Sequence, residues 1–382
     1  MIIQKSILVF LLVCFVSPSI TAQSVNLEVE YLFNLTEGIE FGQPGYVIQP
    51  HRITTDSEGN IFVSDRRQTM IFKYHPDGSF AKQIGGSGRG PGEFNEITAL
   101  TVDNEDRLLV LDRMQFKVSR FDLVTGSVEE HLFEDLRQFN MMTLQSLPED
   151  RFAGIYVESP FPGGEEMKDD GAIRVYDFGK GVKSASFFDY FSHQFDKSVS
   201  IEEHMGMGIG HRLEILNDDH VVAGHRVYYG FHNVINLHSR EVSKFENAEI
   251  QPPYYIDIGI EERPESSDDR FAGAAAAFGQ LGSFYYQILY MSMTMSGING
   301  QLFHVYRKNE ELGFRSEDYL EVFDADGTLI FHGEISDYLP QDEDVSTRIY
   351  AHLDSQLRLF VIDYFQLADP EIRVYRIHME GQ

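Results

Sequence analysis

Two histidine–arginine pairs in the chain have side chains that suit metal binding or acid–base chemistry. His51 is followed by Arg52, and His211 is followed by Arg212. A neutral imidazole is a common metal ligand, and a histidine can also act as a general base near neutral pH. The two pairs are far apart along the chain, so they can act together only if the fold brings them to one place.

An internal repeat predicts how the two pairs are positioned. Ile53–Asp65 (ITTDSEGNIFVSD) matches Leu100–Asp112 (LTVDNEDRLLVLD) and Ala351–Asp363 (AHLDSQLRLFVID). Each unit contains short runs rich in β-branched and aromatic residues, separated by turn residues such as Gly, Asn and Asp. Four such strands in about 40–50 residues is the spacing of a β-propeller blade.

Weaker copies of the unit fill the middle of the chain, and together they predict an all-β, six-bladed β-propeller with four antiparallel strands per blade. The propeller is expected to comprise residues 23–382, with blades at roughly 46–84, 95–133, 139–190, 208–247, 284–332 and 346–378. The last unit ends after three strands. A spare strand at 27–35 is expected to complete it, because this pairing removes an exposed sheet edge.

Residues 1–22 are predicted to be an export signal. Lys5 supplies a positive charge, Ile7–Val16 is apolar, and Ala22 is a small residue suited to cleavage. The apolar stretch is too short to span a bilayer, so we expect an exported protein, periplasmic or extracellular, without a transmembrane span after cleavage. An uncleaved anchor and a lipoprotein attached at Cys14 are the alternatives, and the large Val13 before the cysteine disfavours the second.

The composition excludes several classes of protein. The 382 residues contain 60 acidic and 31 basic side chains, for a net charge of −29. Because nucleic-acid binding depends on Lys and Arg neutralising phosphates, nucleic acid is not expected as a partner. A hydrophobic content of 42% excludes a disordered chain. The single cysteine lies in the predicted signal, so no disulfide is expected.

Three aspartates occupy the same position of the repeat. Each unit has one of them, Asp65, Asp112 or Asp363, at the end of its repeated segment. A residue that recurs in several blades more often closes a turn or connects neighbouring strands than performs chemistry. We therefore interpret these aspartates first as structural residues, while keeping them among the candidates at the channel mouth.

The repeat also predicts a register for the first hairpin of each blade. If Asp56–Asn60 is a turn, His51 lies opposite Asp65, and the same rule places His211 opposite His225 in blade four. A His/Asp pair and a His/His pair at one channel mouth could hold a divalent ion, calcium or zinc. The candidate binding residues are His51, Arg52, Asp65, Asp112, His211, Arg212, His225 and Asp363, and no catalytic residue is assigned.

The long connections of the predicted propeller all fall on one face. They comprise residues 85–95, 158–171, 191–210 and 251–282. Variable loops on a rigid scaffold commonly carry function, so this long-loop face is the expected binding face.

Specific motifs resemble a known repeat family. Gly85–Phe94 (GGSGRGPGEF), followed by Ala99–Asp103 and Leu109–Asp112, resembles the NHL repeat. The chain is similar to the secreted six-bladed NHL-like or TolB-like propellers of Gram-negative bacteria, most clearly in blades one, two and six. The resemblance implies a fold more than an activity, because propellers include binding proteins, scaffolds and enzymes.

A narrower resemblance concerns the first blade. Gln49–Asp56 together with Gly59–Asp65 is similar to the blade motif of peptidyl-hydroxyglycine amidating lyases, whose metal ligands include histidines from such positions. The resemblance implies His51 and His211 as metal ligands. The corresponding positions of the other blades carry different residues, namely Thr98, Met142, Ser292 and Ile349.

These observations favour an exported, monomeric binding protein without assigned catalysis. The ligand would be a protein, a peptide or a small molecule bound at the long-loop face and channel mouth. Two alternatives stay open: a metal-dependent lyase or hydrolase centred on His51, Asp65, His211 and His225, and a structural scaffold of the cell envelope.

Overall fold

The computed structural model describes residues 26–132, 139–141, 143–158, 173–180, 182–187, 212–257, 286–310, 316–340, 345–366 and 368–380. These residues form β-strands and turns, with a short 3-10 turn at Ser336–Tyr338. Within these ranges, no helix is long and apolar enough to cross a membrane.

Among the described residues, the strands form six antiparallel blade sheets and one two-stranded ribbon, which confirms the predicted six-bladed propeller. After β1 (Asn26–Asn34), blade one contains β2 (Pro50–Thr55), β3 (Ile61–Asp65), β4 (Met70–Tyr74) and β5 (Phe80–Ile84). Blade two contains β6 (Ile97–Val102), β7 (Leu108–Asp112), β8 (Lys117–Phe121) and β9 (Val128–Leu132). In blade three, β10 (Phe139–Met141) and β11 (Gln145–Leu147) both pair with β12 (Arg151–Glu158), followed by β13 (Ile173–Asp177) and β14 (Val182–Phe187).

The second half of the ring repeats the pattern. Blade four contains β15 (Arg212–Asn217), β16 (His220–Gly224), β17 (Phe231–Asn236) and β18 (Val242–Glu246). A two-stranded ribbon of β19 (Tyr255–Asp257) and β20 (Tyr286–Ile288) precedes blade five, which contains β21 (Tyr290–Ile298), β22 (Gln301–Asn309), β23 (Ser316–Phe323) and β24 (Leu329–Glu334). Blade six contains β25 (Val345–Leu353), β26 (Arg358–Phe365) and β27 (Glu371–Glu380).

The N-terminal strand completes blade six, as the sequence predicts. β1 pairs antiparallel with β27 from Asn26 opposite Glu380 to Asn34 opposite Arg373. Without this pairing, the backbone groups of β27 would form an open sheet edge. The ring therefore closes through main-chain hydrogen bonds between the two ends of the described chain.

The first strand of each blade lies innermost. Contacts connect β2 to β6, β6 to β11, β11 to β15, β15 to β21, β21 to β25, and β25 back to β2. The six inner strands therefore surround a central channel. Their N-terminal ends lie at the predicted long-loop face, because each blade is entered there from the preceding outer strand. Of the predicted long connections, 85–95 is described, whereas most of 158–171, 191–210 and 251–282 lies outside the described residues.

Apolar residues between adjacent blades form the core. All residues of β3 and β7 are buried, because a middle strand has a neighbouring blade on each side. The boundary between blades six and one buries Val63, Phe72, Phe360 and Val374 together. The turn within the first hairpin of blade one is held by Asp56, whose Oδ1 accepts from the Asn60 N–H at 2.8 Å.

Candidate binding site at the channel mouth

The predicted pairing of His51 with Asp65 is wrong. Pro50 lies opposite Asp65 and Arg52 lies opposite Ser64, so that His51 is the extra residue of a β-bulge. A bulge places two residues of one strand opposite one residue of its partner. The repeat spacing assumed an uninterrupted ladder, and blade two has a bulge at the same place.

Asp65 is a fully buried residue at the end of β3, and its carboxylate is occupied by backbone N–H groups. Its Oδ2 accepts from the backbone N–H groups of Ile48 at 2.5 Å and Gln49 at 3.1 Å. Its Oδ1 accepts from the N–H groups of Arg67 and Gln68, both at 2.8 Å. The carboxylate thus joins the segment before β2 to the turn after β3, which confirms the structural interpretation.

The two equivalent aspartates are also buried and bonded within the fold. Asp112 accepts from the N–H groups of Asn95 at 2.6 Å and Gln115 at 2.9 Å, as Asp65 does in blade one. Asp363 instead forms two hydrogen bonds with the Arg348 guanidinium, at 2.7 and 3.1 Å. Its carboxylate is therefore occupied by an ion pair within blade six.

His51 lies in an environment that disfavours positive charge. Burial, reinforced by the positive charges of Arg52 and Arg66, lowers its pKa to about 3, so the imidazole is neutral at physiological pH. Its Nδ1 atom is buried and has no hydrogen-bond partner among the described residues. The same charges that lower this pKa would repel a divalent cation. His211 lies outside the described residues, so the His51–His211 metal pair stays a prediction.

Arg52 and Arg212 bring positive charge to the channel mouth. Arg52 Nε donates to the Thr98 carbonyl at 3.0 Å, and Arg212 Nη2 donates to the Ser292 carbonyl at 3.3 Å. Each acceptor is a neutral group on the inner strand of the next blade. Burial, followed by the charge of Arg52, lowers the pKa of Arg212 to about 10. The positive charge of Arg52 therefore disfavours positive charge at Arg212.

Neither guanidinium has a carboxylate in ion-pair contact within the part of the chain that the structure describes. Arg212 Nε is in addition buried without a hydrogen-bond partner there. Arg226 adds a further positive charge near Arg212, whereas the nearby Arg66 is partly neutralised by Glu96 at 3.5 Å. A buried donor without a partner costs about 1–3 kcal/mol, and an incoming anion would supply the missing acceptor.

His225 lies at the end of β16, next to this basic cluster. Its Nδ1 accepts from the Val227 N–H at 3.0 Å, and its side chain is buried. Arg212 pairs with Gly224, and His225 is the residue that follows Gly224. His211 lies outside the described residues, so the pairing of His211 with His225 stays a prediction.

Glu214 lies further along the same inner strand and was missed by sequence reasoning. Burial raises its pKa to about 8, against the opposing effects of Arg212 and a hydrogen bond from Gln145. A depression of about 250 Å³ at the opposite channel mouth is lined by Glu214 together with Thr54, His352, Asp56 and Asp354. The repeat places Glu214 where blade one has Thr54, and an acid at that inner-strand position was the available signal.

The raised pKa of Glu214 predicts a pH-dependent stability. A carboxyl group with a higher pKa in the folded state favours folding at low pH, and this contribution is lost between pH 4.5 and about 8. We expect the free energy of unfolding of Glu214→Gln, relative to that of wild type, to be about 1–2 kcal/mol higher at pH 9 than at pH 5. Urea unfolding at both pH values measures the difference, and equal shifts at both would contradict it.

Comparison with known proteins supports the fold. A family model described as 6-bladed beta-propeller matches residues 46–168. No curated protein sequence matches the chain. A Bacteroides fragilis protein described as exported is 14% identical, with 94% of this chain and 97% of that chain covered and a TM-score of 0.55. A duf4221 family member from Bacteroides vulgatus is 10% identical, with 93% and 99% covered and a TM-score of 0.56.

A further solved structure is an enzyme, a streptogramin B lyase. It is 10% identical, covers 92% of this chain and 98% of its own, and has a TM-score of 0.44. A similarity this weak shows nothing about the activity of this chain. At identities of 10–14%, even the two stronger matches show a shared fold and nothing about ligands.

Proposed function

We propose that this chain is an exported propeller of the NHL or TolB-like type, acting as a monomeric binding protein for a small anionic ligand at the channel mouth of its long-loop face. The basic cluster of His51, Arg52, Arg212 and Arg226 would hold the anion. The observation that carries the proposal is that Arg52 and Arg212 donate only to carbonyl groups among the described residues, and that Arg212 Nε is buried there without a partner.

The overall charge strengthens this argument. The chain has a net charge of −29, yet among the described residues neither Arg52 nor Arg212 has a carboxylate in ion-pair contact. A guanidinium presents a planar set of donors that matches a carboxylate or a phosphate through two parallel hydrogen bonds. The neutral His51 can accept or donate one further hydrogen bond to the same ligand.

Export is supported by two observations of different kinds. Residues 1–22 have the composition of a signal peptide, and a structural neighbour is described as exported. A periplasmic or extracellular binding protein would meet its ligand in solution. The lyase alternative would require a cation near His51, where the positive charges of Arg52 and Arg66 work against one.

Anion binding is tested by isothermal titration of the full chain with sodium phosphate, acetate and citrate at low ionic strength. We expect at least one of the three to bind, and Arg212→Ala to weaken its binding by about 10-fold or more, because one charged hydrogen-bond donor is lost. Added NaCl should weaken binding of the wild type, since the attraction is between charges.

Lys180→Ala is the matched control for this experiment. It removes one positive charge from an exposed turn on the opposite face, where Lys180 Nζ lies 3.6 Å from Asp177 Oδ2. Binding should stay within about twofold of wild type. Absence of binding by all three anions, or equal losses in both variants, would exclude the basic cluster as the binding site.

A further inference from the structure

A second cluster of polar side chains is buried between blades four and five. Ser292 separates it from Arg212 of the basic cluster, since the Ser292 carbonyl accepts from Arg212 and the Ser292 hydroxyl contacts His304. It contains His232 on β17, His304 on β22, Glu321 on β23 and Tyr228 in the segment between β16 and β17. Their exposed fractions are 1%, 0%, 0% and 2%. A carboxylate buried this completely needs strong compensation, because moving a charge out of water is costly.

The potential ligand atoms converge on one point. His304 Nδ1 lies 2.8 Å from Glu321 Oε1, His232 Nε2 lies 3.3 Å from the same oxygen, and the two nitrogens are 3.2 Å apart. Neighbouring ligands in a tetrahedral zinc site lie about 3.3 Å apart, because each is about 2.0–2.1 Å from the metal. The triangle is therefore the size of one face of such a site. The Tyr228 hydroxyl contacts the same carboxylate oxygen and offers a fourth ligand.

A cation could replace the protons that hydrogen bonds to Glu321 would otherwise require. In the hydrogen-bonded arrangement, Glu321 Oε1 accepts from His304 Nδ1 at 2.8 Å and from His232 Nε2 at 3.3 Å. A cation at the centre of the triangle would instead accept lone pairs from all three atoms at once.

The charges around the site also favour a cation, because Glu321 contributes a buried carboxylate without an ion-pairing Lys or Arg in the described part of the chain. Within the described residues, the contacts of Glu321 Oε1 with titratable nitrogens are those to the imidazoles of His232 and His304, at 3.3 and 2.8 Å. Nitrogen ligands favour zinc over calcium or magnesium, which prefer oxygen.

Further contacts orient the ligands, as outer partners do in known metal sites. His304 Nε2 is hydrogen-bonded to Ser292 Oγ at 2.9 Å, which leaves Nδ1 to face the centre. Asn247 Nδ2 donates to Glu321 Oε2 at 2.8 Å, which leaves Oε1 to face it. The Tyr228 ring stacks on the His232 ring, with their centroids 5.0 Å apart.

From this geometry we infer a closed, structural zinc site formed by His232, His304, Glu321 and Tyr228. Because all four ligands are buried and none leaves an open position, the ion would connect blade four to blade five instead of activating water. This connection joins two blades through side chains, whereas blade six is closed through backbone pairing. The inference does not depend on anion binding at the channel mouth.

Metal analysis of the purified full chain, produced in zinc-supplemented medium, tests the site. We expect about one zinc per chain by mass spectrometry of the metal, and less than one tenth of that in Glu321→Gln, which keeps the size of the side chain. Chelation by EDTA should lower the melting temperature of the wild type by about 5 °C or more, since a ligand bound only by the folded state stabilises it.

His332→Ala is the matched control, because His332 is a nearby histidine bonded to Tyr306 at 2.7 Å and outside the ligand set. It should retain the metal. Cobalt substitution of the wild type gives a readout that does not depend on a variant folding, and intense visible bands of tetrahedral Co²⁺ are expected. Folded wild type without zinc, a cobalt spectrum without these bands, or zinc content unchanged in Glu321→Gln would each overturn the inference.

Discussion

Replacing Gly297 by alanine is expected to prevent blades four and five from packing as they do. Gly297 lies near the end of β21, and an added Cβ would be 1.8 Å from the Ile215 carbonyl oxygen and 2.9 Å from the Leu216 Cα. These are backbone atoms of the adjacent inner strand, which cannot rotate away. We expect a loss of about 4 kcal/mol or more in the free energy of unfolding, or no folded protein at all. Urea unfolding and the yield of soluble protein measure this effect.

The matched control for Gly297 is Gly86→Ala. Gly86 also has an ordinary backbone conformation, and an added Cβ there would meet nothing within 4 Å. Its stability should change by less than about 0.5 kcal/mol. A Gly297 variant as stable as the Gly86 variant would contradict the close packing of β15 against β21.

Replacing Asp65 by alanine is expected to destabilise blade one strongly. The carboxylate accepts from four backbone N–H groups and from the Gln68 side chain at 2.9 Å, so its removal leaves several buried donors without an acceptor. We expect a loss of about 3 kcal/mol or more, measured by urea unfolding. Asp65→Asn should recover only part of it, because an amide presents its own N–H donors to these donors.

Asp77→Ala controls for the loss of an aspartate from blade one. Asp77 lies in the exposed turn between β4 and β5 and accepts from the Ser79 N–H at 3.0 Å and the Ser79 hydroxyl at 2.7 Å. Water can replace the carboxylate at this position, so the unfolding midpoint should change little. A comparable loss in both variants would contradict a special role for Asp65.

The repeat was sufficient to predict the fold because it depends on local sequence. Segments such as Ile53–Asp65 combine short runs of β-branched and aromatic residues with turn residues at fixed intervals, and these patterns favour the same hairpin wherever they occur. The N-terminal strand was predictable for a related reason, since blade six contained only three strands and one strand was left over. The recurring aspartates could be interpreted by the same arithmetic.

The register near His51 was not predictable in this way. A single bulged residue shifts every pairing beyond it. Blades one and two both contain the bulge, so the spacing between their repeats stays the same and does not reveal it. The predicted contact between His51 and Asp65 failed for this reason. The basic character of the channel mouth was not predictable from the sequence either, because it depends on which charges surround Arg52 and Arg212 in space.

The buried cluster between blades four and five shows the same limit most clearly. Glu321 lies two residues before Phe323, which pairs with Leu302, just as Phe72 lies two residues before Tyr74, which pairs with Ile61. An acid at a position that is buried and aromatic in blade one was the available signal. It could not reveal that His232 and His304 approach the same carboxylate.

The sequence by itself determined the class of fold, the number of blades and the closure by the N-terminal strand, because hydrophobic alternation and turn chemistry act over a few neighbouring residues. Only the tertiary structure decided which polar groups meet between blades and whether each has a partner. Charge balance, desolvation and ligand geometry are set by atoms from strands that are distant in the chain, and no local pattern records those distances.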